Sequence, residues 1–134
     1  MSQHSPKPIK VLIVEDEYIV GFEITYTLSE MGYETLGPAP TGEEALALAQ
    51  AKRPDVVLMD IVLKGNMDGI EAAQAIMRNQ GTPVVFATAS SERRTYDRAM
   101  ALRPLGFFLK PLDFQAIDQL IKSSLDGAAK ADRA

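Results

Sequence analysis

Short apolar segments rich in β-branched residues alternate five times along this chain with longer segments that carry apolar residues at helical spacing. This alternation predicts an α/β fold, in which helices connect parallel strands. The predicted strands are 9–14, 33–36, 55–59, 83–87 and 105–109. The predicted helices are 18–31, 41–53, 68–80, 90–103 and a fifth that begins near Asp113. Such a series predicts a flavodoxin-like, doubly wound sheet of five parallel strands in the order 2-1-3-4-5, with five helices.

The chain has 134 residues, which suits one domain with its own core. We expect that domain over residues 8–125, with 1–7 and 126–134 as flexible tails. No apolar run is long enough to span a membrane, and a formal net charge of -4 disfavours direct binding of nucleic acid. The chain has no cysteine, which excludes disulfides and thiolate metal sites and fits the cytoplasmic location that we expect.

Chemically active residue types stand where four of the five predicted strands end. Glu15 and Asp16 follow the first strand, Asp60 the third, Thr88 the fourth and Lys110 the fifth. The carboxyl ends of parallel strands share one edge of a sheet, and ligands bind there, near the switch in strand order. We therefore expect these five residues to converge on one shallow pocket.

The charges of this group call for a cation. Glu15, Asp16 and Asp60 carry three negative charges when ionised, and Lys110 offsets only one. Clustered carboxylates repel one another, which raises their pKa values unless cations compensate. A divalent cation would complete the balance, and a site with oxygen ligands alone predicts magnesium.

Asp60 is the candidate nucleophile, because it ends the most apolar strand at the centre of the sheet. A carboxylate can accept a phosphoryl group as an acyl phosphate, provided that positive charge binds the phosphoryl oxygens. Thr88 and Lys110 are placed to bind those oxygens. Phe107, three residues before Lys110, would respond to a movement of Thr88 and change the surface.

Each residue also has an ordinary structural explanation. Glu15 and Asp16 could cap the next helix or supply acids to its first turn. Thr88 could be a cap, and Lys110 a surface lysine. Asp60 is harder to explain in this way because it ends a strongly apolar run. Coincidence at four strand ends is improbable.

Four segments also carry a family resemblance: VLIVEDE (11–17), DVVLMDIVLKGNMDGIEAA (55–73), PVVFATA (83–89) and GFFLKP (106–111). In this order they resemble the receiver domain of bacterial two-component response regulators, over roughly residues 8–125. The resemblance is to chemotaxis-regulator-like receivers. It implies phosphorelay signal transduction by either a stand-alone receiver or a piece of a longer regulator.

The resemblance implies a role for each acidic residue. Asp60 would accept a phosphoryl group from a sensor histidine kinase or a histidine phosphotransfer protein. Magnesium would be held by Glu15, Asp16, Asp60 and the main-chain carbonyl of Val62. Glu15 stands where aspartate is more frequent in the family, with a longer reach and the same charge.

It also implies how the signal leaves the site. Thr88 and Lys110 would bind the phosphoryl group, and Thr88 and Phe107 would form the switch. A downstream protein would bind the face of helix four, strand five and helix five, while the kinase would use the first helix and the loop after Lys110. Pairing of two copies is a further option. The only catalysis implied is the domain's own phosphorylation and dephosphorylation, so it is a signalling switch rather than a metabolic enzyme.

Two other functions compete with this one. A pseudo-receiver would bind proteins without phosphorylation, but all five key residues are present. An enzyme on a similar sheet would carry a phosphate-binding loop, and neither G-x-G-x-x-G nor G-x-x-x-x-G-K-[ST] occurs. An aspartyl-phosphate hydrolase would typically carry a second Asp two residues after the nucleophile, where this chain has Val62.

Overall fold

The fold is seen in a computed structural model, which describes the backbone of residues 7–133 and the side chains of residues 7–126. The strands are β1 (Lys10–Val14), β2 (Glu34–Ala39), β3 (Val56–Met59), β4 (Val84–Thr88) and β5 (Gly106–Leu109). The helices are α1 (Tyr18–Glu30), α2 (Gly42–Lys52), α3 (Gly69–Gln80), α4 (Arg93–Met100) and α5 (Phe114–Arg133). The strands are parallel and lie in the order β2-β1-β3-β4-β5, which confirms the predicted topology.

Helices cover both faces of the sheet. One apolar layer joins the strands to α2, α3 and α4, and the other joins them to α1 and α5. Every residue of β3 and β4 is buried, as expected for central parallel strands. Within residues 7–133, no helix has the length and apolar character needed to cross a membrane.

Helix α3 begins at Gly69, which packs against the main chain of Asp60. The Asp68 carboxylate accepts a hydrogen bond from the Glu71 amide at 2.8 Å, and the Glu71 carboxylate accepts one from the Asp68 amide at 2.9 Å. This is the capping box that the spacing of Asp68 and Glu71 in the sequence predicts. A Cβ atom at Gly69 would lie 1.9 Å from the carbonyl oxygen of Asp60, so only glycine permits this close approach. Asp68 also accepts a hydrogen bond at 3.1 Å from Arg98 of α4, which ties α4 to the start of α3.

Strand β2 is longer than predicted. Its predicted end at Leu36 is wrong, because pairing with β1 continues to Ala39. Leu12 pairs with Leu36 and Val14 pairs with Ala39, so β2 holds one extra residue in this interval. Gly37 has a φ of +95°, a conformation that glycine adopts at little cost, and this lets the chain bulge and resume pairing.

Helix α4 is shorter than the predicted 90–103. Its start is delayed to Arg93 because the Ser90 hydroxyl accepts the Glu92 amide in a local turn. After the helix ends, Arg103 takes a left-handed backbone conformation with φ of 55° ahead of Pro104, which cannot continue a helix.

Helix α5 continues to Arg133, past Asp126, where a tail was predicted. The alanine- and lysine-containing sequence of this segment favours helix. Residues 1–6 of the other predicted tail lie outside the described residues. The domain boundary at 8–125 and the flexibility of both ends stay predictions.

We expect Tyr33→Phe to destabilise the fold by about 1 kcal/mol near neutral pH, because the buried Tyr33 hydroxyl donates a hydrogen bond to Asp118 of α5. This hydrogen bond, aided by Lys122 and opposed by burial, holds the pKa of Asp118 below its usual range. The bond therefore contributes stability above a pH of about 4, and the contribution is lost as the pH falls through the lowered pKa of Asp118. Urea unfolding across pH measures both effects.

The matched control is Tyr26→Phe, which removes a hydroxyl from a tyrosine that is 60% exposed on α1. Equal stability losses in the two variants, or a Tyr33→Phe deficit that grows at acidic pH, would contradict the assigned bond.

Candidate functional site

Glu15, Asp16, Asp60, Thr88 and Lys110 converge at the carboxyl edge of the sheet, as the strand ends predicted. One carboxylate oxygen from each of Glu15, Asp16 and Asp60 lies within 4.8 Å of the other two. A cleft of about 390 Å³ opens beside them. It is lined by Asp16, Glu17, Asp60, Val62, Thr88, Ala89, Ser90 and Lys110.

Main-chain hydrogen bonds between neighbouring strands fix where these residues emerge. The Asp60 amide donates to the carbonyl of Val14 at 3.0 Å, which sets the end of β3 level with that of β1. The Lys110 amide donates to the carbonyl of Thr88 at 2.9 Å and aligns β5 with β4 in the same way. The cluster is therefore positioned by the sheet itself rather than by flexible loops.

Lys110 bridges the two buried carboxylates. Its Nζ donates to Glu15 Oε1 at 2.5 Å and to Asp60 Oδ2 at 3.1 Å. Burial lowers the pKa of Lys110, but the hydrogen bonds to Glu15 and Asp60 outweigh that effect and raise its pKa overall. The ammonium group therefore stays charged and supplies the one positive charge that the strand ends predicted.

Glu15 is the most deeply enclosed acid of the cluster, at 3% exposure. Burial raises the pKa of Glu15, and the negative charge of Asp60 raises it further. The hydrogen bonds from Lys110 and from the Glu17 amide, which lies 3.1 Å from Glu15 Oε2, oppose this shift. Both oxygens of Glu15 thus have a donor, and its carboxylate has a defined orientation.

Thr88 and Val62 line the same cleft as Asp60. Thr88 is fully buried, and its hydroxyl accepts the Ser90 amide at 3.3 Å. Val62 is 63% exposed, and its amide lies 3.4 Å from Asp60 Oδ1, a long hydrogen bond. Thr88 can reorient by giving up one weak hydrogen bond.

Phe107 packs between the core and α4. Its ring lies 6.4 Å from that of Phe86 and 5.0 Å from that of Tyr96, which it meets edge-on. The helical spacing of Tyr96, Ala99 and Met100 predicts that Tyr96 lies on the apolar side of α4, but it does not predict the contact with Phe107. The spacing of apolar residues identifies the inward side of a helix, but not which ring a side chain meets across the fold.

The donors suit a hard divalent cation. All three acidic residues offer oxygen, and no nitrogen or sulfur ligand is part of the group. Lys110 contacts only one oxygen of Glu15 and one of Asp60, and Asp16 lines the open cleft. An oxygen-only set that leaves room for water fits magnesium.

We expect Lys110→Met to destabilise the fold by about 3 kcal/mol at neutral pH, because it leaves two buried carboxylates without their cation. The pKa of Glu15 would then rise further, so the folded state would hold more protons than the unfolded chain. Stability would fall with rising pH, and the deficit would shrink in acid or with added Mg²⁺. Urea unfolding at several pH values measures this.

Lys122→Met is the matched control, since Lys122 pairs with Asp118 at the surface and its side chain is 53% exposed. Its effect should stay below about 1 kcal/mol and show no rescue by Mg²⁺. A Lys110→Met deficit of the same small size would refute the buried bridge.

Comparisons with known proteins agree with this arrangement. A family model described as the response regulator receiver domain matches residues 11–122. Among curated proteins, the transcriptional regulatory protein PdtaR of Mycobacterium tuberculosis is 38% identical over 104 residues, which cover 78% of this chain and 50% of PdtaR. Sporulation initiation phosphotransferase F of Bacillus subtilis is 32% identical over 117 residues, which cover 87% of this chain and 93% of that protein.

Solved structures show the same likeness. The signal receiver domain of a modulated diguanylate cyclase from Desulfovibrio desulfuricans G20 has a TM-score of 0.84 and 33% identity, covering 90% of this chain and 95% of that one. One chain of the CheX-CheY-BeF3-Mg+2 complex from Borrelia burgdorferi is also similar, with a TM-score of 0.78 and 26% identity over 88% of this chain and 90% of that chain.

The two curated relatives differ in how far they extend beyond the region that matches this chain. The chain spans about half the length of PdtaR but nearly the whole length of the Bacillus subtilis protein. The matched region includes all five strands except Lys10, the first residue of β1, and every residue of the acidic cluster. With the family model covering most of its length and the strand order observed, this chain belongs to the response regulator receiver domain family.

Proposed function

We propose that Asp60 accepts a phosphoryl group from a phosphohistidine and that the modified domain then binds a different partner. The observation that carries this proposal is the Lys110 bridge, because it pairs the Asp60 carboxylate with a positive charge and orients it beside an open cleft. The sensor histidine kinase or histidine phosphotransfer protein would be the donor. The Bacillus subtilis relative is named a phosphotransferase, which supports transfer of this kind.

The transfer needs little from the protein beyond position and charge. A carboxylate oxygen of Asp60 attacks phosphorus, the phosphorus–nitrogen bond breaks, and the imidazole of the donor leaves with the bonding electrons. Lys110 then neutralises an oxygen of the phosphoryl group, and the buried Thr88 hydroxyl and the Ala89 amide donate to the others. Water later hydrolyses the acyl phosphate and resets the domain.

Magnesium would be held by Glu15, Asp16 and Asp60 with the main-chain carbonyl of Val62, and would neutralise charge on the phosphoryl oxygens. The oxygen-only donor set supports this assignment. The similar CheX–CheY complex from Borrelia burgdorferi contains Mg+2 together with BeF3, which also supports it. Asp16 is the more direct protein ligand, since it lines the cleft, whereas Glu15 lies behind it against Lys110.

The switch would run from Thr88 to Phe107. When the Thr88 hydroxyl turns toward the phosphoryl group, it leaves space that the Phe107 ring can fill. Because Phe107 has no hydroxyl, its movement into the core would break no hydrogen bond to water. Because Tyr96 contacts Phe107 edge-on, the movement would alter the exposed surface of α4.

Two separate surfaces would serve the two classes of partner. Helix α1 presents Tyr18, Ile19, Phe22 and Tyr26, each at least 60% exposed, as an apolar surface for the kinase or phosphotransfer protein. The face of α4, β5 and α5, with Tyr96 and Leu109, would bind the downstream protein or a second copy of the chain. We place this signalling in the cytoplasm, where the donor histidine is phosphorylated.

Incubation of the protein with Mg²⁺ and acetyl phosphate should add one phosphoryl group per chain, measured by intact-mass spectrometry at short times. Asp60→Asn should abolish the adduct because the amide is a poor nucleophile. Asp55→Asn, at the other end of the same buried segment, should leave it unchanged. A folded protein that gains no phosphoryl group would instead indicate a pseudo-receiver.

Phe22→Ala should slow phosphotransfer from the donor protein at least about tenfold, as loss of an aromatic contact residue does, and leave labelling by acetyl phosphate unchanged. Tyr96→Ala should have the opposite pattern. It should weaken binding of the phosphorylation-dependent partner and leave the rate of phosphotransfer unchanged. Transfer rates and partner affinity, measured on both variants, separate the two surfaces. Equal effects of Phe22→Ala and Tyr96→Ala on both reactions would rule out this division.

A further inference from the structure

The bulge of β2 packs against α1 immediately beside Glu15. A Cβ atom built on Gly21 of α1 would lie 2.9 Å from Pro38 Cγ, 3.0 Å from Pro38 Cβ and 3.4 Å from Glu15 Cγ. Gly21 is buried against the Pro38 ring, although Pro38 itself is exposed. Backbone, ring and glutamate stem therefore meet at one point, with no room for a methyl group.

The same bulge also holds the main chain of Glu15. The Glu15 amide donates to the carbonyl of Ala39, the residue after Pro38, at 2.9 Å. Gly37 is equally confined, since a Cβ atom there would lie 2.6 Å from the carbonyl oxygen of Ile13. A displacement of Pro38 would thus reach both the side chain and the amide of Glu15.

Glutamate needs such support more than aspartate would. Its extra methylene adds a torsion angle, and a carboxylate at the end of a longer stem reaches more positions unless packing restricts it. Glycine inside a helix costs up to about 1 kcal/mol relative to alanine, so Gly21 is unfavourable for α1 taken alone. The close contact of Gly21 with Pro38 and Glu15 explains why a glycine occupies this position of α1.

We propose that Gly21 and Pro38 are positioning residues for Glu15, holding its carboxylate in the orientation that divalent-cation binding at the acidic cluster requires. The inference deepens the proposed function and rests on it for the identity of the bound ion. Neither residue touches the ion. Both act through the stem and the amide of Glu15.

The principal test is Gly21→Ala, studied with Mg²⁺ and no phosphodonor. If Gly21 served only to pack α1 against Pro38, Gly21→Ala would change the stability of the fold without changing its affinity for Mg²⁺. The positioning role predicts that the Mg²⁺ dissociation constant, measured by calorimetric titration, rises about tenfold, as it does when supporting residues of metal ligands are altered. In the metal-free protein, the Glu15 amide should exchange its hydrogen faster.

Pro38→Gly supplies the rescue, because it removes both atoms that the new methyl group would strike. The Gly21→Ala/Pro38→Gly double variant should bind Mg²⁺ more tightly than Gly21→Ala alone, because the clash is gone, but more weakly than the unmodified protein, because the support from Pro38 is lost. Pro38→Gly by itself should speed exchange of the Glu15 amide, which keeps the proposal testable if Gly21→Ala fails to fold. Glu30→Ala, which raises helix propensity at an exposed position of α1, should change neither property.

Unchanged Mg²⁺ affinity and unchanged Glu15 exchange in Gly21→Ala would overturn the proposal, as would a double variant no better than Gly21→Ala. The outcome is separable from the fate of the proposed function. If the unmodified protein bound no Mg²⁺, the metal assignment would fail, while exchange of the Glu15 amide in the metal-free variants would still decide whether Gly21 and Pro38 position it.

Discussion

The site depends on one ammonium group shared by two buried carboxylates. Lys110 at the end of β5 reaches Glu15 after β1 and Asp60 after β3, so a single side chain joins three of the five strands. Buried carboxylates this close would resist ionisation without that charge. The parallel sheet is the frame that brings the three groups together, and the bridge in turn stabilises the edge of the sheet where they meet.

Most of this could be predicted from the sequence, because strand ends and charge are local signals. The alternation of apolar runs with helical segments indicated the strand order, and the residues at the strand ends indicated the convergence. The structure confirms both. Asp68 and Glu71 indicated the cap of α3 for the same reason, since a capping box involves neighbours in sequence. The roles of the individual residues in phosphoryl transfer stay predictions.

The errors share a physical cause. The end of β2 depends on pairing with β1 beyond Gly37, and the limits of α4 depend on a serine turn and a left-handed Arg103. Contacts between distant segments, such as Tyr96 on Phe107 or Pro38 on Gly21, have no periodic signature in the sequence. These contacts depend on how the helices pack on the sheet. The secondary-structure propensities and the spacing of apolar residues do not determine that packing.

The hydrogen bond from Arg98 to Asp68 attaches α4 to the start of α3. It differs from the hydrogen bonds of the buried cluster in its exposure to water. Both side chains are partly in water, at 48% and 33% exposure, so the attraction between them is weakened by dissolved ions. Lys110 is shielded from those ions by its burial at 17% exposure. Ionic strength therefore acts unequally on these two ion pairs: added salt weakens the attachment of α4 to the start of α3 but leaves the Lys110 bridge largely unchanged.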